Sequence, residues 1–329
     1  MKKKLLDYII CPDCKTSFNL QAESNESEEI LEGKLECSSC KKVYPITRGV
    51  PRILPKQFSK EKQDTARAFG YEWTRFTQLT DKYEAQFLDW IKPVDKGFFL
   101  DKVVLDAGCG KGRHVWLSAK FGAKDVIGVD LSKAVDVAFE NTRNFPNAHI
   151  VQADIYHMPF RAPFDYAYSI GVLHHLPDPK KGFFSVVQHL KDGGRMSAWV
   201  YGREGNWWIE TIVNPIRILF TSRIPKSLTK LFSFLIAVPM QLVLKLFYSP
   251  INRHAPEFKR FLFYNDYLFS ISDFSFTENY SIVFDHLVAP TAFYIEGPEF
   301  QKWFDEGKLS NIEISQRNSN SWRGTGVKK

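Results

Sequence analysis

Apolar residues in this chain fall into two rhythms. Between residues 103 and 201 they gather in short, nearly unbroken runs: Val103-Val104-Leu105, Val126-Ile127-Gly128-Val129, Ala148-His149-Ile150-Val151, Phe164 to Ile170, and Arg195 to Tyr201. Runs of that length without polar alternation predict strands buried on both faces, as in a parallel sheet. Between them the spacing lengthens to threes and fours. Arg113 to Phe121, Leu131 to about Asn141, and Pro179 to Leu190 read as helices, the last with Phe183, Val186, Val187 and Leu190 on one face. Strand alternating with helix predicts an α/β fold with a parallel sheet.

The flanks behave differently. Residues 57–64 are polar and charged without apolar periodicity and predict a linker, taken as 57–68. Phe69-Gly70-Tyr71-Glu72-Trp73-Thr74-Arg75-Phe76 is too aromatic for a solvated loop. Asp81 with Glu84 then predicts a capped helix carrying Tyr83, Phe87, Trp90 and Ile91 on one face. Residues 206–280 form a long helical insertion. Ile212, Val213, Ile216, Leu219 and Phe220 space like one helix face, and Leu231 to Leu244 is strongly apolar. Pro239 and Gln241 interrupt that run and Lys245 stops it, which leaves it short for a membrane-spanning helix. In the tail, Gly297 to Phe304 reads as a helix and Asn311 to Gly324 as a final hairpin. The expected organisation is 1–56, linker 57–68, core 69–205, insertion 206–280, and 281–329 returning to the sheet.

Chemistry concentrates where the strands end. The first runs into Asp106-Ala107-Gly108-Cys109-Gly110-Lys111-Gly112, a glycine turn opening a helix. Its G-x-G-x-G spacing differs from the dinucleotide fingerprint. Asp130 closes the second strand twenty residues beyond Gly110, where an acid can accept from two ribose hydroxyls. Asp154 closes the third, and Gly171-Val172-Leu173-His174-His175 follows the fourth. In this order the motifs over residues 100–201 resemble the class I S-adenosylmethionine-dependent methyltransferases. The resemblance implies a Rossmann-like sheet and a set of cofactor residues: Asp106, Gly108 and Gly110 at the methionine end, Asp130 with Leu131 at the ribose, Asp154 with Ile155 at the adenine, and Ser169 near the sulfonium. Tyr71 and Trp73 either pack their helix onto the sheet or close over the cofactor, with Arg75 near its carboxylate. His174 either takes a proton from the acceptor or caps its loop, and with His286 and the neighbouring Asp285 it makes the candidate catalytic set. Cys109 reads as a small buried hydrophobe, since methyl transfer from a sulfonium needs no covalent enzyme intermediate.

Four of the five cysteines form two C-x-x-C units, Cys11/Cys14 and Cys37/Cys40. Two such turns can complete a tetrahedral thiolate site, so structural zinc is the reading, with a redox-active pair as the alternative. The acidic interval between them (Glu23, Glu26, Glu28, Glu29, Glu32) suits a solvated loop. With Tyr44 to Pro51 following, residues 5–56 resemble the zinc-ribbon family of small methyltransferase activators, here fused to an enzyme.

Composition adds little except in one place. The chain of 329 residues is 44% hydrophobic and 25% charged, ordinary for a globular protein with a real core. Paired thiols and a basic start without a long apolar core point to the cytoplasm. The formal charge is +7, and residues 211–260 hold eight Lys or Arg against one acid, Glu257. Basic residues flanking apolar helix faces suggest that 209–250 docks on a membrane surface; a cap over the sheet is the alternative. The expected activity is methyl transfer to a small-molecule or lipid-linked acceptor. A ribosomal-RNA acceptor is the first alternative, although basic residues mixed with long apolar runs are unlike an RNA surface. A non-catalytic activator is the second. No Asn-Pro-Pro-Tyr follows the fourth strand, the signature for methylating amino groups of bases or glutamine.

Overall fold

A computed structural model describes every residue except 27–28 and 162–163, and every side chain except those and Asn25 and Glu26. Among the described residues one sheet of eleven strands runs through the whole chain. It begins with β1 (Phe18–Glu26), β2 (Glu29–Cys37), β3 (Val43–Thr47) and β4 (Val50–Ile53), all antiparallel neighbours. The acidic interval is therefore a hairpin rather than a solvated loop. Alternate positions Gly33, Leu35 and Cys37 of β2 are buried, a period-two pattern that the acids between them obscure. Glu28 lies outside the described residues, as does the side chain of Glu26.

The unbroken apolar runs become β5 (Val103–Ala107), β6 (Asp125–Asp130), β7 (Ala148–Ala153), β8 (Phe164–Ile170) and β9 (Leu190–Tyr201). They lie parallel in the order β7-β6-β5-β8-β9, and β10 (Leu309–Arg317) and β11 (Ser321–Lys328) extend the sheet antiparallel beyond β9. Neighbouring residues along each strand feed opposite faces. Val104, Val126 and Ile150 pack under α2 (Lys82–Trp90), α3 (Arg113–Lys120) and α4 (Ala134–Thr142). Leu105, Ile127 and Val151 pack under α5 (Pro179–Gln188), and Phe300 and Phe304 of the last helix join the same core.

The ribbon is not a separate body. β4 adds in parallel to the β7 edge, Arg52 opposite Gln152 and Ile53 opposite Ala153. Leu5, Ile9, Leu35 and Ile46 share one apolar core with Leu105, Ile127 and Val151. At the start of β6, buried Asp125 accepts from Tyr8 Oη (2.6 Å), Lys4 Nζ (2.7 Å) and His149 Nε2 (3.0 Å). Burial opposes the charge, but these three partners outweigh it and hold the carboxyl at about 2.

Residues 57–68 are also more than a linker. α1 (Lys60–Trp73) starts there, with the Ser59 hydroxyl accepting from the Lys62 N–H at 3.3 Å. Asp81 precedes α2 without capping it; its carboxylate pairs with Lys120 at 3.0 Å instead.

The insertion is helical. A run with π turns (209–221) contains α6 (Asn214–Ile216). α7 (Lys226–Val243), a π turn and α8 (Ser249–His254) join into one helix of 29 residues. α9 (Asn265–Ser270), α10 (Phe276–Val288) and α11 (Gly297–Glu306) follow. The expected boundary at 280 falls inside α10, which packs on α7 and α1, so 281–288 belongs with the insertion.

Candidate functional site

Parallel strands whose order reverses beside a central strand leave a crevice at their carboxyl ends. Here β5 is that strand, and a cavity of about 630 Å³ opens above it. Its floor is the glycine turn. Gly108 has φ +95°, and an added Cβ would sit 2.3 Å from Val172 Cγ2. Gly110 has φ +51°, and a Cβ there would meet the Trp73 indole nitrogen at 3.2 Å. Gly108 therefore requires glycine for backbone angle and for room, and a side chain at Gly110 would be strained and press on Trp73. Asp130 fixes the turn: one carboxylate oxygen accepts from the Gly110 N–H (3.0 Å), the other from the Ser132 N–H (2.8 Å). Asp154 accepts from the Tyr156 N–H at 3.0 Å and pairs with Lys62 at 2.6 Å.

Of the residues singled out from sequence, Trp73, Arg75, Gly108, Gly110, Asp130, Leu131, Asp154, Ile155, Asp285 and His286 line this cavity. Four others stand behind its wall. Asp106 is fully buried beneath the turn, neither carboxylate oxygen has a hydrogen-bond partner, and burial together with the Asp130 charge pushes its carboxyl well up. The Ser169 hydroxyl donates to the Ala107 carbonyl (2.8 Å), tying β8 to β5 rather than facing the cavity. Tyr71 packs on Phe284 with Arg75 over its ring at 4.5 Å. His174 is fully buried and stacks on Tyr201 (3.9 Å), its Nδ1 accepting from the Tyr201 N–H at 3.4 Å. Burial holds it neutral, and it supports Tyr201 from behind.

Sequence reading missed most of the roof and the far wall. Beside Trp73, singled out from sequence, Lys62, Thr65, Phe69 and Glu72 of α1 line the cavity at helical spacing. That signal was present but mixed in polarity, so apolar periodicity passed over it. Arg113 opens α3 directly after the turn and faces the rings of Trp90 (5.1 Å), Tyr83 (5.4 Å) and Trp73 (5.8 Å). At the opposite end Tyr201, Tyr264, Tyr267 and Tyr294 join Asp285, a candidate from sequence, and come from β9, the insertion and the segment before α11. Tyr201 Oη donates to Asp285 Oδ2 at 3.3 Å, and Tyr267 Oη lies 3.3 Å from His286 Nε2. Burial raises Asp285 to about 6 and lowers His286 to about 4. Glu72 is fully buried; burial and the nearby Asp285 push it well up, while the Ser281 hydroxyl donates to it at 2.9 Å. Glu72 Oε2, Asp285 Oδ1 and His114 Nε2 are buried at the cavity wall without partners. Such orphaned groups fit a site whose hydrogen bonds are completed by a polar ligand.

The four paired cysteines meet at the ribbon's tip. Their sulfurs lie within 4.8 Å of one another, with Cys14 and Cys37 at 3.3 Å and Cys11 and Cys40 at 3.7 Å. Thiolates about 2.3 Å from a tetrahedral zinc stand about 3.8 Å apart, so the four fit a closed structural site.

Comparison with known proteins follows this division. Residues 104–194 match the family model described as a methyltransferase domain, and residues 2–49 the model of Trm112p-like proteins. The chain is 34% identical over 99 residues to the tRNA U34 carboxymethyltransferase of Psychromonas ingrahamii, covering 29% of this chain and 30% of that protein. The Aeromonas hydrophila enzyme of the same name is 35% identical over 99 residues, covering 29% and 30%. The chain thus spans under a third of the length of these relatives. Among solved structures, magnesium protoporphyrin IX methyltransferase from Synechocystis PCC 6803 is 13% identical, covering 82% of this chain and 98% of that one, with a TM-score of 0.46. A chain of the complex containing the Haloferax volcanii Trm112 methyltransferase activator is 13% identical, covering 80% and 96%, also at 0.46.

Proposed function

We propose that this chain, a class I S-adenosylmethionine-dependent methyltransferase with an N-terminal zinc ribbon of the Trm112 type, methylates a small or lipid-linked acceptor. The acceptor would enter from the insertion side of the cavity. The observation that carries this reading is that one cavity is lined at one end by Gly108, Gly110, Asp130 and Asp154 and at the other by Tyr201, Asp285 and His286.

S-adenosylmethionine supplies a methyl group on a positively charged sulfur. In this reading the backbone at Gly108 and Gly110 and the side chain of Arg113 hold its methionine end, Asp130 the ribose and Asp154 the adenine edge. Trp73 and the inner face of α1 exclude water. Holding two reactants in line in a dry pocket supplies most of the rate. Asp285 receives the acceptor's proton at Oδ1, its free oxygen, while Tyr201 Oη holds Oδ2. The zinc held by Cys11, Cys14, Cys37 and Cys40 takes no part in the reaction; it closes the ribbon.

The names of the relatives favour a second acceptor, tRNA. A match of 99 residues is too short to span both the domain at 104–194 and the insertion. Deuterated-methyl cofactor separates the two readings. After incubation with cell extract, label in the lipid and small-molecule fraction supports the first reading, and label in tRNA hydrolysate replaces it with the second. Gly108→Val should abolish cofactor binding in calorimetry, and unchanged binding removes the glycine turn from the site. Asp285→Asn should lower turnover about 10²-fold or more with cofactor affinity unchanged. Wild-type activity should rise with pH through about 6, as Asp285 ionises.

A further inference from the structure

The 29-residue helix formed by α7 and α8 is built inside out. Where it lies on α10 its buried positions are Thr229, Ser233 and Ala237, spaced by four. Several contacts on the inner side are polar: Thr229 Oγ1 donates to the Thr221 carbonyl (2.8 Å), Asn279 to Gln241 (2.6 Å) and Tyr280 to the Lys230 carbonyl (2.9 Å), beside a small apolar patch of Ala237, Val283 and Leu287. Leu244 and Tyr248 pack inward against Ile271 and Phe274, but most of its large apolar residues face away from the protein. Leu231, Leu235, Leu242 and Leu246 are 53%, 58%, 57% and 65% exposed. Phe220 of the preceding helical run and Phe261 of the following segment are likewise 62% and 71% exposed. A cap over a soluble core would turn these residues inward, because burying each would stabilise the fold. A face this apolar marks a place where something other than water sits.

Charge identifies what sits there. Glu257 is the one acid in 211–260. Arg223, Lys245, Lys259 and Arg260 are exposed around the apolar face. Arg217 is buried, and Arg253 is paired with Asp273 at 2.6 Å, so neither adds to this surface. An apolar face bordered by cations complements a bilayer with anionic headgroups, where the apolar side chains enter the acyl boundary and the cations meet the phosphates.

We propose that this face, from the run at 209–221 through α8 to Phe261, docks flat on an anionic lipid bilayer. By length and composition Lys226–His254 could cross a membrane. Its inner side is committed to α10 and to Thr221, which holds it in the plane of the surface instead. Docked this way, the bilayer lies against the insertion that supplies Tyr264, Tyr267 and Asp285 to the cavity. This placement stands independently of the methyltransferase reading, and cofactor calorimetry run on the same samples keeps the two apart.

The test is co-sedimentation of the full chain with vesicles of phosphatidylcholine, with or without phosphatidylglycerol, alongside sedimentation velocity without lipid. Expected are binding to the anionic vesicles that weakens with salt, about a fivefold loss for each of Arg223→Gln, Lys245→Gln and Lys259→Gln, and loss of binding in Leu235→Gln/Leu242→Gln/Leu246→Gln. Val43→Gln, which removes an exposed apolar residue of the ribbon, should bind like the wild type. The proposal is overturned if the wild type stays in the supernatant at low salt. A stable dimer that the triple variant dissolves, without vesicle binding, overturns it in favour of a second copy. Retention of tRNA without vesicle binding overturns it in favour of nucleic acid.

Discussion

The ribbon and the insertion are both additions to the same sheet, and they solve opposite problems. The ribbon turns its apolar residues inward, into a core shared with β5, β6 and β7, and settles its one deeply buried junction acid, Asp125, with three partners. Along α7 the insertion turns small and polar residues inward and most of its large apolar ones outward. The first arrangement is what a scaffold needs. The second makes sense only when water is not the outer medium. Composition does not separate them; direction does.

Four substitutions press on that contrast, in decreasing order of effect. Asp125→Ala should be the most damaging, costing about 3–5 kcal/mol in chemical denaturation, because it strands the buried His149 and Tyr8. The shared core predicts one transition that carries cofactor binding down with it. A ribbon that melts alone while calorimetric binding persists would show the two parts to be separable. The same contact should make stability acid-sensitive. With its folded value near 2 against about 3.9 unfolded, Asp125 contributes fully above pH about 4 and loses that contribution as pH falls towards 2.

Ser233→Leu comes next. Filling the small-residue seam between α7 and α10 should cost about 1–3 kcal/mol, even though it makes an apolar helix more apolar. A neutral or stabilising result would mean the seam is loose. Asp285→Asn should have the opposite sign. Burial raises that carboxyl to about 6, so its ionised form is a cost in the folded state that grows as pH rises from about 4 through 6. Removing it should stabilise the fold at pH 7 by on the order of 1 kcal/mol while lowering turnover, and both can be read from thermal melts and a pH–rate profile. Smallest of all, Leu235→Gln should move stability by about 0.5 kcal/mol or less, since the side chain is already exposed.

The central strands, the glycine turn and the acids that close the strands could be read from the chain because each rests on local geometry. An unbroken apolar run has few alternatives to a buried strand, and a turn with φ of +95° at Gly108 needs glycine wherever it occurs. What escaped reading depends on what lies across from a residue. The first turns of α1 looked like a linker because their inner face meets a polar cavity and not an apolar core, so Lys62 and Thr65 carry the face that Leu or Val would mark elsewhere. His174 and Ser169 sit at the right place along the strand, yet one lies behind Tyr201 and the other is tied to Ala107. Sequence position fixes the edge of the sheet, not which side chains are screened by their neighbours. Periodicity found the helices of the insertion but carries no sign for in or out, and only the packing on α10 supplies it.

The joint between β4 and β7 reaches further than the shared core. An open strand of a large parallel sheet is a template on which another chain can add, and β7 would offer one that is buried along its whole length in the intact sheet. With the ribbon in place the exposed rim moves to β1, Phe18-Asn19-Leu20-Gln21-Ala22-Glu23-Ser24, short on apolar residues and out of register with β2 between Ala22 and Ser24. A strand that is polar and kinked is a poor surface for growth. Removing β1 to β4 together should therefore bare β7 and yield a protein that polymerises through that edge.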